Sequence, residues 1–266
     1  YITFPLKRKK KLSTYWKIVR ELRKENGELG VIFVNTFISA LLFRLGNVKK
    51  NIGYNREGRG FLLDFSPEIN YHKHYINRYA FLFNEYIGNK YVYLPELSLR
   101  HTGQKTFQFD NSHKTIALYL GGENKEFRKY PDEYAVQLLR LLNRQGYNLL
   151  LIGDENDNIK HTQYAEEARI DHLINLTART TIEGFINTIA NVDLIITIDS
   201  SALHIAAAVK TPFIALMGLS TSPTSTILPK VPLGRILKIE NNLIREEDYI
   251  RNITPDLILK TISELI

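Results

Sequence analysis

The segment Asp193-Leu-Ile-Ile-Thr-Ile-Asp-Ser-Ser-Ala-Leu-His-Ile-Ala-Ala-Ala-Val-Lys-Thr-Pro-Phe-Ile-Ala-Leu-Met217 decides the fold class of this chain. It begins and ends with short apolar runs, 193–198 and 212–217, which are typical of fully buried strands. The small residues between them, from Ala202 to Val209, predict a helix. Because parallel strands need a crossover connection of this kind, the segment predicts an α/β fold with a parallel sheet.

The same alternation extends through the second half of the chain. Short apolar runs predict further strands at 115–120, 148–152 and 173–176. Helical spacing or helix-start residues predict helices at 134–142, in the stretch ending near 169, at 180–190 and from 254 onward. Binding sites of such sheets lie beyond the carboxyl ends of the strands. That rule selects the loops 121–131, 153–157, 177–181 and 199–204.

The first half of the chain is less regular. It predicts helices at 15–25, 37–45 and 75–86, and strands at 30–34 and 50–53. A length of 266 residues suffices for two domains, each with its own core. The polar residues at 103–114 mark the predicted boundary, which gives domains 1–113 and 114–266. We expect the terminal helix to pack back on the first domain.

Composition and motifs exclude several classes of function. The chain has no cysteine, which excludes disulfides, zinc–thiolate sites and thiol nucleophiles. No apolar run approaches the ~18–20 residues that span a bilayer. The signature motifs of P-loop, G-x-G-x-x-G, G-x-S-x-G and H-E-x-x-H proteins are missing, and so is D-x-D. The histidine pair in Tyr71-His-Lys-His-Tyr75 has no obvious acidic third ligand, so we expect no metal site.

The charge is distributed unevenly along the chain. The formal net charge is +7, with +10 in residues 1–113 and −3 in residues 114–266. A basic first half suits an anionic partner: nucleic acid, an anionic membrane surface or a phosphorylated substrate. Alternatively, the run Lys7–Lys11 is a solvated surface. Since no interleaved basic and aromatic motif of a nucleic-acid module occurs, we expect no nucleic-acid partner.

The turn after the predicted strand 193–198 has the features of an anion site. A helix starts within two residues of Asp199, and its first N–H groups have no helical partners. Ser200 and Ser201 add hydroxyl donors, and His204 lies one turn further along the same face. The alternative is that Asp-Ser-Ser is only a helix cap and that His204 is a core residue.

Two other loops at the same edge offer polar groups. The loop Gly121-Gly-Glu-Asn-Lys-Glu-Phe-Arg-Lys-Tyr-Pro131 carries Arg128 and Lys129, and arginine can bind phosphate through two parallel hydrogen bonds. It could equally be an exposed basic loop. Gly153-Asp-Glu155 places carboxylates where a ribose diol needs acceptors.

Together these loops resemble glycosyltransferase family 9, the ADP-heptose:lipopolysaccharide heptosyltransferases. The family pattern D-[ST]-G-x-x-H-x-A-A-A appears as Asp199-Ser-Ser-Ala-Leu-His-Ile-Ala-Ala-Ala208, followed by Pro212-Phe-Ile-Ala-Leu-Met-Gly218. Its K-R-W-P element appears as Arg128-Lys-Tyr-Pro131. Thr180-Thr-Ile-Glu-Gly184 is similar to the segment beside the nucleotide base.

The resemblance implies a GT-B fold of two Rossmann-like domains with parallel sheets. Residues 1–113 then form the acceptor-side domain, lacking its N-terminal βαβ portion, and residues 114–266 form the donor-binding domain. Arg128 is implied to stabilise the leaving diphosphate, and Arg56 and Arg59 to bind the acceptor. The implied donor-binding residues are Gly121, Gly122, Lys129, Glu155, Thr180, Thr181, Asp199, Ser200, Ser201 and His204.

The implied reaction is an inverting, metal-independent transfer of heptose from an ADP-sugar to the acidic inner core of lipopolysaccharide, without a cofactor. We expect a cytoplasmic enzyme with peripheral contact to the anionic inner face of the membrane. The sequence departs from the family at Ser201, where glycine is usual, at Arg128, where lysine is usual, and in lacking an identifiable acidic base. The alternatives are the same fold with another nucleotide-sugar donor, and a nucleotide-binding protein without turnover.

Overall fold

A computed structural model describes residues 12–92, 96–121, 127–218, 224–238 and 245–266 of the chain. The predicted basic run Lys7–Lys11 lies outside these residues. The chain divides into two compact units. Unit 1 comprises Tyr1–Pro95 with Ser225–Ile227, and unit 2 comprises Glu96–Thr224 with Leu228–Ile266.

Unit 1 contains a parallel pair of strands with helices packed around it. Its elements are α1 (Leu12–Glu25), β1 (Leu29–Ile32), α2 (Phe37–Leu45), β2 (Lys50–Gly53) and α3 (Tyr75–Tyr86). Ile32, Ala40 and Leu62 form a buried apolar core between β1 and α2. Gly30 allows this close packing, because a Cβ there would lie 2.5 Å from the Phe43 ring.

Unit 2 is a parallel sheet of six strands connected by helices. Its strands are β3 (Thr115–Tyr119), β4 (Asn148–Leu151), β5 (Leu173–Asn175), β6 (Leu194–Ile198), β7 (Phe213–Leu216) and β8 (Gly234–Leu237). Its helices are α4 (Asp132–Arg144), α5 (Asn158–Ala168), α6 (Ile182–Ala190), α7 (Ser201–Val209) and α9 (Pro255–Ile262), while the short α8 (Thr224–Ile227) lies at the unit boundary. Strands β3, β4, β6 and β7 are buried along their whole length, which explains their mostly apolar sequences.

The strand order in unit 2 is β5-β4-β3-β6-β7-β8. The chain therefore proceeds outward from β3 to β5, returns to place β6 on the other side of β3, and continues outward to β8. The order reverses between β3 and β6, so their carboxyl ends open a crevice at a topological switch point. Leu118 pairs with Leu151 on one side and with Ile196 on the other, which sets β3 at the centre of the sheet.

The structure confirms the predicted parallel α/β architecture, with several local differences. The division at 95/96 precedes the predicted boundary at 113/114, because the segment 96–113 is hydrogen-bonded to α6 and α7. Thr102 N–H donates to Asn187 Oδ1 at 3.0 Å, and Leu99 N–H donates to Ala208 O at 3.2 Å. The terminal helix α9 belongs to unit 2 and packs against α4 and β7; its expected packing on the first domain stays a prediction.

Candidate functional site

Helix α7 begins at the carboxyl end of β6, at the switch point of the sheet. Ser200 is its N-cap, and the Ser200 hydroxyl accepts a hydrogen bond from Ala202 N–H at 3.2 Å. A second contact, 2.9 Å long, joins this hydroxyl to that of Thr197 in the buried strand. The two contacts hold the turn rigidly, while Ser201 is exposed at the first helical position. The turn therefore presents a helix N-terminus, with its positive dipole end, to the crevice.

Two further predicted residues belong to the same turn. Asp199 and His204 are both half-buried, and both take part in interactions within the protein. His204 lies one helical turn beyond Ser200, so the cap and the imidazole face the same side of α7. The structure thus brings four predicted residues together at the end of β6: Asp199, Ser200, Ser201 and His204.

The segment carrying Arg128 crosses the carboxyl edge of the sheet. It is anchored by the buried Tyr130, whose N–H donates to Leu120 O at 3.0 Å. On its other side it approaches the residue that follows the strand β7: a Cβ on Gly218 would lie 2.8 Å from Phe127 O. Glycine is therefore required at 218 for this backbone approach. Between these anchors Arg128 remains half-exposed at the edge of the sheet.

Tyr119 connects Arg128 with the loop after β4. Burial raises the pKa of the Tyr119 hydroxyl, and the charge of Asp157 and a hydrogen bond to it raise that pKa further. The charge of Arg128 acts in the opposite direction, which places the guanidinium within electrostatic range of the same hydroxyl. The hydroxyl of the last residue of β3 is therefore within electrostatic range of both an anionic and a cationic group.

Lys129, unlike Arg128, is used within unit 2. Its ammonium group lies 2.8 Å from Asp132 Oδ1, and Lys160 lies 3.0 Å from Asp132 Oδ2. The Tyr164 hydroxyl also donates to Asp132. Burial by itself raises the pKa of Asp132, but the hydrogen bonds from Lys129, Tyr164 and Lys160 outweigh it and lower the pKa to about 2. Lys129 thus stabilises the start of α4, and its role in donor binding stays a prediction.

The loop after β4 combines an exposed carboxylate with a buried one. Glu155 is exposed, as a residue that binds a ribose must be. Next to it, the Asp154 side chain accepts from Asn156 N–H at 2.8 Å and caps a short 3₁₀ turn. The buried Asp157 accepts from Asp154 N–H at 3.0 Å. These two hydrogen bonds therefore fix the backbone that carries Glu155.

The loop after β5 leads into α6 beside the loop after β4. The N-cap of α6 is Thr181, whose hydroxyl accepts from Gly184 N–H at 3.0 Å. The sequence placed this cap one residue earlier, at Thr180, which is half-buried. Ala178 has a φ of +60° and its N–H donates to Gly153 O at 3.1 Å. This bond joins the two loops directly.

In unit 1 the structure contradicts the expected role of Arg59. Arg59 is fully buried, so it cannot contact an acceptor at the surface. Its guanidinium instead fastens the loop after β1, with donors directed to Tyr54 O, Val34 O, Thr36 O, Asn35 Oδ1 and Ser39 Oγ. Arginine followed by glycine in a basic loop looks like a surface group in the sequence, and only the fold shows five acceptors around it.

Arg56, by contrast, is exposed. Its guanidinium carbon lies 5.4 Å from the centre of the Tyr71 ring, within the range of a cation–π interaction. Arg78, which is buried, contacts the same ring at 5.3 Å. Arg56 therefore remains available to an anionic group, and its contact with an acceptor stays a prediction.

Nine of the ten predicted donor-binding residues lie among the residues that the structure describes. Gly121 is buried with a φ of +80°, a conformation that favours glycine, whereas Gly122 lies outside the described residues. Sequence reasoning missed Tyr119 and Asp157, which are buried next to these loops. The available signal was their position next to strand ends, but neither residue type stands out there.

No cluster of three or more His, Asp or Glu side chains that could hold a metal ion occurs in the described ranges. Among the helices that the structure describes, none has the length and apolar character needed to cross a bilayer.

The family model for glycosyltransferase family 9 (heptosyltransferase) matches residues 15–247. The chain belongs to this family. It is therefore a glycosyltransferase. Among curated proteins it is similar to lipooligosaccharide heptosyltransferase 2 of Haemophilus influenzae, with 26% identity over 96% of this chain and 81% of the relative. It is also similar to lipopolysaccharide heptosyltransferase 2 of Salmonella typhimurium, with 22% identity over 94% of this chain and 78% of the relative.

Solved structures of the family have the same fold. ADP-heptose lipopolysaccharide heptosyltransferase II of Escherichia coli matches with a TM-score of 0.79 and 22% identity, over 96% of this chain and 81% of that one. A glycosyltransferase family 9 protein of Veillonella parvula matches with a TM-score of 0.80 and 15% identity, over 96% of this chain and 78% of that one. These matches confirm the predicted GT-B type of α/β fold.

Proposed function

We propose that this glycosyltransferase transfers heptose from an ADP-sugar to the inner core of lipopolysaccharide. The observation that carries the proposal is the N-terminus of α7, capped by Ser200, at the same switch-point crevice as the half-exposed Arg128. A helix N-terminus and a guanidinium are both suited to a diphosphate. The names of the relatives, lipopolysaccharide and lipooligosaccharide heptosyltransferases, support heptose as the sugar and this core as the acceptor.

In the proposed reaction the donor lies along the carboxyl ends of β3, β4 and β6. The diphosphate occupies the start of α7, the ribose lies at the exposed Glu155, and the base lies beside Thr180 and Thr181. Gly121 leaves room for the backbone to approach the donor. The polar groups of these loops are already held by bonds within the fold, so little reorganisation is needed on binding.

The chemistry proposed is displacement of ADP by an acceptor hydroxyl, with inversion at the anomeric carbon and without a metal. Negative charge grows on the leaving diphosphate as its bond to the sugar breaks. The Arg128 guanidinium and the dipole of α7 stabilise that charge more strongly in the transition state than in the bound donor. A base must accept the proton of the acceptor hydroxyl, and no described residue is assigned this role.

The acceptor is proposed to bind unit 1 through its positive charge. The inner core of lipopolysaccharide is acidic, and residues 1–113 carry a formal charge of +10. Arg56 is the exposed candidate, whereas Arg59 is excluded by its burial. The run Lys7–Lys11 would add attraction to an anionic membrane face, worth about 1 kcal/mol per residue near the surface.

The test of donor binding is calorimetric titration of the chain and of two variants at Ser201 with ADP. Ser201→Asp adds a carboxylate at the first position of α7, where it suits the helix dipole but repels a diphosphate. Ser201→Gly restores the residue usual in the family and adds no charge. We expect the parent and Ser201→Gly to bind ADP, and Ser201→Asp to bind it at least about tenfold more weakly.

The comparison among nucleotides then separates the alternatives. Tighter binding of GDP or UDP than of ADP would indicate another nucleotide-sugar donor. ADP binding without transfer to a purified core acceptor would indicate a binding protein. Equal affinity of parent and Ser201→Asp, or no heat from any of the three nucleotides with the parent, would refute the proposed diphosphate site.

A further inference from the structure

Beneath the loops after β3, β4 and β5 lies a cluster of four buried polar side chains, which we call the loop cluster. Its members are Tyr119, Asp157, His161 and Thr177. Tyr119 is 4% exposed, and the other three are fully buried. Asp157 and His161 are four residues apart, so they face the same side of the first turn of α5. Asp157 and Thr177 lie in loops that the sequence selected, but none of the four was predicted as a site residue.

Hydrogen bonds of these side chains connect the first turn of α5 with the neighbouring loops. Asp157 Oδ2 accepts from Asp154 N–H at 3.0 Å, which holds the loop after β4. Tyr119, at the end of β3, lies near enough to Asp157 for the charge of that carboxylate to raise the pKa of the Tyr119 hydroxyl, which burial raises already. His161 Nδ1 lies 2.8 Å from the Thr177 hydroxyl, which precedes the segment 178–181. One helical turn therefore joins the loops after β4 and β5, which lead to predicted donor-binding residues.

Asp157 and Tyr119 are both closely packed against neighbouring groups. A Cβ on Gly153 would lie 2.8 Å from Asp157 Oδ2, so the carboxylate is pressed against the backbone of the loop. The Tyr119 ring packs edge-on against Phe185 of α6, with ring centroids 6.4 Å apart. A displacement of Asp157 would consequently move the backbone before Glu155.

The loop cluster is costly for the stability of unit 2. Asp157 Oδ1 and His161 Nε2 are buried, and neither has a hydrogen-bond partner in the described part of the protein. Burying a carboxylate and an imidazole with unsatisfied atoms disfavours folding compared with apolar side chains of similar size. Asp157 also completes a capping box with Asp154 at the start of the 3₁₀ turn. These polar contacts fix the geometry of the loops.

We propose that Asp157 and His161 are positioning residues of the donor site, which hold the loops after β4 and β5 at the separation that the nucleoside of the donor requires. The inference rests on the proposed function, because Glu155 and Thr180–Thr181 are proposed to bind the ribose and the base. The diphosphate subsite at the start of α7 does not depend on the His161–Thr177 contact. Loss of this contact should therefore weaken recognition of the nucleoside and leave recognition of the diphosphate intact.

The test uses Thr177, since its hydroxyl can be removed without changing the shape of the side chain. Thr177→Val removes the partner of His161 Nδ1, and Thr177→Ser keeps the hydroxyl as the matched control. The affinity for ADP is measured by calorimetry, and inorganic pyrophosphate serves as a probe of the diphosphate subsite. Both are measured well below the melting temperature of each variant, so that a loss of stability alone does not alter the result.

For Thr177→Val we expect a 5- to 20-fold increase in the Kd for ADP and a change of less than about twofold for pyrophosphate. In transfer assays KM for the donor should rise while kcat stays within about twofold, because ground state and transition state lose the same contact. Thr177→Ser should restore the ADP affinity. If Thr177→Val does not fold, Thr177→Ala replaces it, because it also deletes the hydroxyl that contacts His161 Nδ1.

Three results would overturn the inference. They are unchanged ADP affinity in Thr177→Val or its replacement, equal losses for ADP and pyrophosphate, and a loss in Thr177→Ser as large as in Thr177→Val. Failure of the proposed function is distinguishable from all of these, because the parent itself would then not bind ADP.

Discussion

The buried His161 should make unit 2 less stable as the pH falls from about 7 to about 4. Burial lowers the pKa of its imidazole to about 4, although the charges of Asp157 and Asp154 oppose the shift. In the unfolded chain a histidine has a pKa near ~6.5. Between these two values the unfolded chain binds a proton that the folded chain does not. The stability contributed by a neutral His161 is therefore complete above pH ~6.5 and is lost as the pH falls toward 4.

The size of the effect follows from the two pKa values. At about pH 5 the proton on the unfolded histidine costs the folded state about 2 kcal/mol, and below about pH 4 the penalty levels off near 3 kcal/mol. Full burial of His161 justifies using the undiminished shift, since water does not screen the imidazole. Two kilocalories per mole is a large fraction of the stability of a domain.

The perturbation that isolates this effect is His161→Asn. Asparagine does not titrate, and its side-chain amide reaches the position of Nδ1, so the contact with Thr177 is retained. The matched control is His172→Asn, since His172 is exposed in the same unit. Unfolding of unit 2 is followed by urea-dependent hydrogen exchange of peptides from β3, β4 and β6, at about pH 7.5 and about pH 5.

Between these two pH values the parent and His172→Asn should lose about 2 kcal/mol more than His161→Asn. The other histidines contribute equally to all three proteins and cancel in the comparison. The reasoning is refuted if His161→Asn loses as much stability as the parent. An NMR titration of His161 with a midpoint near pH ~6.5 would refute it as well.

Two further substitutions test the charged groups of unit 2. Asp132→Asn removes the carboxylate whose pKa is lowered to about 2, so it should lower stability at neutral pH by about 1 kcal/mol, after allowing for partial exposure. This contribution is present above pH ~4 and is lost as the pH falls toward 2, and urea unfolding across that range should show a flatter curve for the variant. Arg128→Ala should reduce kcat by about 100-fold with a smaller change in donor KM, and Arg128→Lys should retain most of the activity. Steady-state kinetics decides this, and an unchanged kcat with a raised KM would make Arg128 a binding residue alone.

The layered architecture of unit 2 could be predicted from the amino-acid sequence, and so could the strand ends at which the candidate site lies. Apolar runs between helices predicted β3 to β7, because strands of a parallel sheet covered on both faces are mostly apolar. Local capping signals were equally informative. Thr254 caps α9 with Pro255 at its first position, and Gly146 follows α4 with a φ of +83°. Both signals act within one helical turn, so no knowledge of distant residues was needed.

Features that depend on contacts between distant parts of the chain could be recognised only in the tertiary structure. Strand β8 escaped prediction because it is half-exposed and has only β7 beside it. Arg59 was predicted to bind the acceptor at the surface, since arginine is usually exposed, and His161 was not singled out. Arg59 contacts Val34 O, 25 residues away, and His161 contacts the Thr177 hydroxyl, 16 residues away, and only folding brings these partners within hydrogen-bond distance. A local pattern determines which face of an element is apolar. It does not determine which polar side chain will be buried and hydrogen-bonded to a distant part of the chain.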